Sequence, residues 1–180
     1  MATHPATTQL PSHMKTQPTT DEDILRWIPL KMAAEWNHGD AQGFTSAFAD
    51  DADFIIFDGT HLQGREKIRR FHQQIFDTLV KGTRLEAEVE FIRFITSELA
   101  VIHSRARMAF RGQPRTSPSR DSMQLLVVTR NDGRWTVRVM QNSRILPIEH
   151  QPFWDDFNSL AREVQQKVAE VTSSLKPDGA

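Results

Sequence analysis

The spacing of apolar residues along the chain predicts helices in its first half. Beyond residue 20, apolar side chains recur every three or four positions, at Ile24, Leu25, Ile28, Met32 and Trp36. After Gly64 a second stripe has the same spacing and consists of Ile68, Phe71, His72, Ile75, Phe76 and Leu79. Such stripes are typical of α-helices that bury one side. Between them we predict a short helix carrying Phe44 and Phe48, and then a strand and return in "ADFIIFDG" and "HLQG".

From Thr83 the period of the pattern changes from helical spacing to two, which is typical of β-strands. The alternation predicts four strands, at residues 84–96, 99–111, 120–131 and 134–144. The dipeptides "SE" and "DG" and a Gly/Pro/Ser loop at 112–118 connect them. Helices first and a strand meander afterwards indicate an α+β fold, with N-terminal helices packed on a four-stranded antiparallel sheet.

Both ends of the chain differ in composition from this central domain, which we place at residues 21–148. Residues 1–20 are rich in Thr, Pro and Gln and are predicted to be a disordered tail. Residues 149–180 are predicted to be a helical extension with one narrow apolar stripe. Two interpretations stay open for this helix: it packs on its own domain or a dimer mate, or it forms a short coiled coil.

Composition limits the chemistry and the location that the chain can have. The formal net charge of -1 favours neither nucleic acid nor an anionic membrane as partner. The lack of cysteine excludes disulfides, thiolate nucleophiles and cysteine-bound metal. No apolar run is long enough to span a membrane, and no secretory apolar region is found, so we expect a cytoplasmic protein. No H-x-H or H-E-x-x-H spacing occurs, and we predict no metal and no cofactor.

Strand register decides which residues share a face of the sheet, and two-residue turns provide an estimate of it. In this register His103 lies opposite Ile92 and Gln124 lies opposite Gln141. One face then carries apolar residues that are followed along the strands by a group of polar residues: His103, Arg105, Glu90, Gln124 and Gln141. The same register puts Asp121 opposite Arg144 on the other face.

The other face of the predicted sheet is also apolar and therefore needs a cover of its own. Helices can cover one face, and a second subunit is the simplest cover for the other. We therefore expect a homodimer that associates through the outer sheet face, since two-fold dimers are the commonest oligomers.

Several blocks of the sequence occur in an order that resembles a known family. They include "AAEWNHGDAQGFTSAFADDADFIIFDG", "GREKIRRFHQQIF", "IRFITSELAVIHSR", "RDSMQLLVV" and "GRWTVRVMQNSR". They are similar to the SgcJ/EcaC family, within the SnoaL-like group of the nuclear transport factor 2-like superfamily, over about residues 22–148. The resemblance implies a cone-shaped α+β barrel with an internal pocket, and a homodimer. Relatives include cyclases, dehydratases, isomerases and binding proteins without catalysis.

Three residues are candidates for acid–base catalysis. His103 lies in mid-strand on the predicted pocket face, where an imidazole could exchange protons near pH 7. His72 lies in the apolar stripe of a helix and could pair with His103 across the cone, although packing alone would also explain it. Asp53 is the member of the "DDAD" cluster that could point inward and act as a base.

Six further residues are candidates for ligand binding. The amides of Gln124 and Gln141 could hydrogen-bond a developing oxyanion. The other four candidates are aromatic: Trp36, Phe44, Phe48 and Trp135. Their side chains could line a site for a flat apolar molecule, or they could belong to the ordinary hydrophobic core. Two functions stay open at this point. One is a cofactor-free cyclase, isomerase or dehydratase acting on a small apolar or aromatic carbonyl compound, and the other is a non-catalytic ligand-binding or assembly module.

Overall fold

The computed structural model describes residues 20–112, 121–145 and 159–168 of the chain. Residues 1–19 of the tail predicted at 1–20 lie outside the described residues, as does much of the predicted extension. The chain divides into two compact units, Met1–Arg144 and Ile145–Ala180, and each is described by itself. The predicted boundary at residue 148 stays a prediction.

The described residues of the first unit form three helices: α1 (Asp21–His38), α2 (Ala41–Phe44) and α3 (Arg65–Asp77). Phe48, which was predicted to lie on the short second helix, instead begins the first strand. The hydroxyl of Thr20 accepts a hydrogen bond from the Asp23 amide, and the Asp23 carboxylate accepts one from the Thr20 amide, so α1 begins with a capping box. Gly39 ends this helix with φ 69°, a left-handed conformation that suits glycine. Helix α3 ends at Asp77, so Leu79, the last residue of the predicted stripe, lies beyond the helix and is exposed.

Over the described ranges the sheet contains six strands in the order β2-β1-β6-β5-β4-β3 and is open, with β2 and β3 at its edges. The strands are β1 (Phe48–Ile55), β2 (His61–Gln63), β3 (Arg84–Thr96), β4 (Leu99–Ala109), β5 (Ser122–Asn131) and β6 (Arg134–Arg144). Neighbours are antiparallel except β1 and β6, which run parallel. The expected α+β class is confirmed, but the expected four-stranded antiparallel sheet is enlarged into a mixed one by β1 and β2.

The predicted register is wrong by one residue over much of the sheet, and by two residues in part of the β3–β4 pairing. The pairing of β3 with β4 shifts twice, and His103 lies opposite Phe91 instead of Ile92. The pairing of β5 with β6 shifts once, at Val127/Val128, and places Gln124 opposite Asn142 instead of Gln141. A β-bulge adds one residue to one strand and therefore exchanges the faces of every later residue.

The two faces of the sheet have different environments. Helix α1 packs against β3 and α3 packs against β1, on the side that we call the helix-covered face. In β4 this face carries Ala100, Ile102, Ser104 and Ala106, which are all buried. The alternating residues, including His103, are partly exposed on the side that we call the outer face. The core therefore lies between the helices and one face of the sheet only.

The second unit is described over the helical residues 159–168. This segment agrees with the predicted helical extension, and its apolar Leu160 and Val164 are exposed. No helix in the described ranges is long and apolar enough to cross a membrane.

Candidate functional site

A row of polar residues crosses the helix-covered face of the sheet. Val89 of β3 pairs with Ser104 of β4, Ser104 with Gln124 of β5, and Gln124 with Asn142 of β6. Neighbouring strands lie about 4.8 Å apart, so the three polar side chains lie next to one another. They interrupt a surface that is otherwise apolar, because the next buried positions along these strands are Ile102, Leu126 and Met140.

Hydrogen bonding in this polar row is incomplete. The Ser104 hydroxyl is fully buried and donates to Oε1 of Gln124 over 3.1 Å. Oδ1 of Asn142 is also buried, and no residue of the described ranges donates a hydrogen bond to it. Buried polar atoms in proteins are nearly always paired, and an unpaired one costs about 1–3 kcal/mol. The unpaired oxygen is therefore a local cost to the stability of the fold.

His72 lies on the helix-covered side of the sheet in a cage of aromatic rings. Its nearest ring is Phe44, which is stacked at 4.3 Å between centroids, and Phe54 of β1 lies at 5.2 Å. Its Nδ1 donates to the carbonyl oxygen of Ile68 over 2.8 Å. Burial lowers the pKa of His72 to about 4, and the bond to Ile68 opposes this only in part. The imidazole is therefore neutral at pH 7, and Nε2 carries its lone pair.

The buried polar side chains of the described residues carry no formal charge at neutral pH. They are Thr45, His72, Thr83, Ser104 and Gln124. Transfer of an ionised group into such surroundings without a charged partner is strongly unfavourable. The helix-covered face can therefore offer hydrogen bonds and apolar contacts, and it suits an uncharged molecule.

The structure places His103 on the outer face, so its predicted position on the pocket face is wrong. Its Nδ1 lies 3.1 Å from Oε2 of Glu90, and Nε of Arg105 lies 3.2 Å from Oε1 of the same carboxylate. The ring of His103 stacks on Phe91 at 4.9 Å. His103 and His72 are therefore separated by the sheet, and the expected pair across the cone does not form.

Asp53 also lies on the outer side, because it alternates along β1 with the buried Ala52 and Phe54. Its Oδ1 lies 2.6 Å from Nε2 of His61 on β2, and both side chains are partly exposed. The expectation that Asp53 points inward is therefore wrong. This pair at the sheet edge was not predicted from the sequence, because no contact was assigned there to the short segment that contains His61.

Of the four aromatic residues that were predicted to line a ligand site, three lie in the hydrophobic core and one is partly exposed. Phe44, Phe48 and Trp135 are buried, and Nε1 of Trp135 donates to Oδ1 of Asp21 over 2.9 Å. Trp36 is partly buried and donates from Nε1 to Oγ1 of Thr83 over 3.0 Å. Trp36 is therefore the member of this set that retains surface for a ligand.

The predicted polar partners on β5 and β6 change with the register. Gln141 is exposed and lies on the outer face, whereas Asn142, which the sequence prediction missed, lies beside Gln124. Arg144 pairs with Ser122 instead of Asp121, and its guanidinium lies 4.0 Å from the ring centroid of Phe57. Asp121 instead lies 3.9 Å from Arg107.

Metal binding has no geometric support in the part of the chain that the structure describes, because no group of three or more His, Asp or Glu side chains could hold an ion there. The predicted absence of metal and cofactor stays a prediction.

Comparison with solved structures relates the fold to several bacterial proteins. A crystal structure from Nostoc punctiforme, a domain of unknown function with a cystatin-like fold, is 48% identical, with a TM-score of 0.73 over 87% of this chain and 98% of that one. A nuclear transport factor 2-like protein from Shewanella oneidensis is 15% identical, with a TM-score of 0.59 over 69% and 99% of the two chains.

A ketosteroid isomerase-like protein from Erwinia carotovora atroseptica is 12% identical, with a TM-score of 0.56 over 71% of this chain and 100% of that one. At such identities the likeness of the last two structures concerns the fold alone. No curated protein matches the sequence. The family model of the SnoaL-like domain matches residues 30–138, which is more than half of the chain. The chain therefore belongs to the SnoaL-like domain family.

Proposed function

We propose that the chain binds a small, uncharged and mostly apolar molecule on the helix-covered face of its sheet. The observation that carries this proposal is the neutral set of buried polar groups, which lies within an apolar surface. Ligand sites in proteins combine these two features, since apolar contacts supply affinity and a few placed polar groups supply orientation.

Partly buried apolar side chains beside the core supply the surface that such a ligand would contact. Among them are Trp36, Val80, Val89 and Ile92. Val89 belongs to the same cross-strand row as Ser104 and Gln124. A ligand lying against these residues would bury apolar surface at roughly 25 cal/mol per Å² while its polar group meets the row.

Binding is better supported than acid–base turnover. Of the three predicted catalytic residues, only His72 lies on the helix-covered side, and its pKa of about 4 makes it a weak proton acceptor at pH 7. We also propose that the chain belongs to the SgcJ/EcaC family, a narrower group within the SnoaL-like family, on the basis of the resemblance described above. Cytoplasmic location stays a prediction from the sequence.

Titration with the neutral dye 1-N-phenylnaphthylamine, whose fluorescence rises in apolar surroundings, tests the proposed function. We expect saturable binding by the wild type and loss of binding in Val89→Asp, because this change puts a charge beside the ligand. The matched control is Val101→Asp, which makes the same change on the outer face of the adjacent strand. Equal binding by both variants, with circular dichroism showing both folded, would refute a site on the helix-covered face.

We also propose that two copies of the chain associate through the outer face of the sheet. Val101, Val127 and Val139 form an apolar row across β4, β5 and β6 on this face. Phe91 and Leu125 lie nearby on the same face and remain 46% and 41% exposed in the single chain. The charged neighbours Glu90 and Arg105 are already paired with each other, so burying them needs no new partner. A face with this composition suits a two-fold interface with a second copy.

Light scattering coupled to size-exclusion chromatography tests this association. We expect a mass twice the 20.6 kDa of one chain. The variant Val101→Asp should lower this mass to that of one chain, whereas Val89→Asp should not. A wild type that elutes as one chain at micromolar concentration would contradict the proposed interface.

A further inference from the structure

We propose that the outer face carries a self-complementary row of residues, so that Asp53 of one copy pairs with the partner's Arg93. This inference rests on the association through the outer face proposed above and names the contacts that fix how the two copies meet. It follows from the order of charged and apolar residues across five neighbouring strands.

The row runs directly across the sheet, because each member is the pairing partner of the next. In the strand order β1-β6-β5-β4-β3 its members, which we call the outer row, are Asp53, Val139, Val127, Val101 and Arg93. Val101 alternates along β4 with the buried Ala100 and Ile102, and paired residues point to the same side of a sheet. The outer row therefore lies on the outer face and consists of an acid, three valines and a base.

The outer row has the symmetry that a two-fold interface needs. Val127 lies at its centre, and the charged ends lie two strands away on either side, roughly 10 Å at the usual strand spacing. A two-fold axis that runs along β5 over Val127 turns the row end for end. It places Asp53 of one copy over the partner's Arg93 at both ends, with valines facing valines between them. A second copy of the chain is therefore a complementary cover for this row.

Arg93 is the residue of the outer row that most needs a partner. It is exposed in the single chain and forms no ion pair with any residue that the structure describes. Burial of its guanidinium without an acid would oppose association, because an unpaired charge loses its hydration without compensation. An interface through the outer face therefore has to supply a carboxylate at this position.

Asp53 is the carboxylate that remains available for this purpose. Its Oδ1 contacts His61, and no lysine or arginine of the described ranges pairs with it. Three other carboxylates on or beside the outer face already contact an arginine of their own chain, and they are Asp51, Glu88 and Glu90. The charge of Asp53 is therefore the one that the fold leaves for the partner's Arg93.

Charge reversal tests this pairing, with the Kd of the dimer measured by analytical ultracentrifugation at pH 7. Asp53→Arg and Arg93→Asp each bring like charges together at both ends of the row, so we expect each to raise the Kd at least about tenfold. A mixture of these two variants restores opposite charges at both ends and should form a heterodimer about as tightly as the wild type associates. Arg70→Asp makes the same change at an exposed position of α3 and, as the control, should leave the Kd unchanged.

Neutral variants keep the test decisive if circular dichroism shows that a reversed variant does not fold. Asp53→Asn and Arg93→Gln each remove the same two ion pairs from the dimer, so they should raise its Kd by similar factors. The Kd of each variant should also rise less with salt than that of the wild type, because fewer charges remain to be screened.

The outcomes separate this inference from the proposed association. A wild-type dimer that Val101→Asp dissociates but that both charge reversals leave intact would overturn the pairing of Asp53 with Arg93 and retain the outer-face interface. Folded single variants that do not associate when mixed would also overturn the pairing. A wild type that sediments as one chain would instead refute the association itself.

Discussion

His72 and His103 lie on opposite sides of the same sheet and have opposite surroundings. The ring of His72 is enclosed by aromatic side chains and has a backbone carbonyl as its partner. The ring of His103 is partly exposed and lies beside the carboxylate of Glu90. They cannot share a proton relay, and substitutions of the two should have unrelated effects.

Protonation of His72 should make the stability of the protein depend on pH. The folded protein holds the pKa of His72 at about 4, below the ordinary 6.5, so the unfolded chain binds this proton more tightly. The contribution is therefore fully present above pH 6.5 and is lost as the pH falls toward 4. Its size is about 3 kcal/mol over this window. Urea unfolding between pH 7 and pH 4 would measure it.

Two variants separate the contribution of His72 to the pH dependence from that of the other groups that titrate between pH 7 and pH 4. In His72→Phe the loss of stability between pH 6.5 and 4 should be smaller than in the wild type, because no buried imidazole remains to be charged. His38→Gln changes an exposed histidine and should retain the wild-type dependence. Parallel pH profiles for the wild type and His72→Phe would contradict the prediction.

Removal of the His103 side chain should leave ligand binding unchanged. His103 lies on the outer face, where its contacts with Phe91 and Glu90 are partly exposed. We expect His103→Ala to change the free energy of unfolding by no more than about 1 kcal/mol. Its affinity for 1-N-phenylnaphthylamine should equal that of the wild type. A tenfold loss in a folded variant would show that the outer face takes part in binding.

Asp21 should contribute more to stability than its neighbour Glu22. Its carboxylate accepts from Nε1 of Trp135 over 2.9 Å and from Nη1 of Arg130 over 2.6 Å, and thereby joins the start of α1 to β5 and β6. We expect Asp21→Ala to cost about 2 kcal/mol in urea unfolding, because it leaves a buried indole N–H unpaired. Glu22→Ala removes only an exposed pair with Arg26 and should cost less than about 0.5 kcal/mol.

Asn37 should anchor the end of α1 to the first residues of β3. Its Nδ2 donates to the carbonyl oxygen of Leu85 over 2.9 Å, and its Oδ1 accepts from the Leu85 amide over 2.7 Å. We expect Asn37→Ala to destabilise the fold by about 1–2 kcal/mol, since both backbone groups lie at a sheet edge with no other strand beyond it. Asn131→Ala, in the exposed β5–β6 turn, is the control and should cost far less.

Local patterns in the sequence predicted the elements that depend on nearby residues. The apolar stripes predicted α1 and α3 because residues three and four apart share one side of a helix. The capping residues Thr20 and Asp23 act within one helical turn. The pairing Asn131–Arg134 followed from a two-residue turn, and the structure has it.

Tertiary structure alone decided which strand residues face the ligand side. The observed pairings decide which residues share a face: His103 lies outward between Phe91 and Leu125, Gln141 lies outward, and Asn142 lies beside Gln124. The parallel pairing of β1 with β6 likewise joins segments that are far apart in the chain. Alternation by itself determined that two faces exist. A slip of one residue keeps the alternation intact, so only the packing of the whole sheet against the helices could decide which face is which.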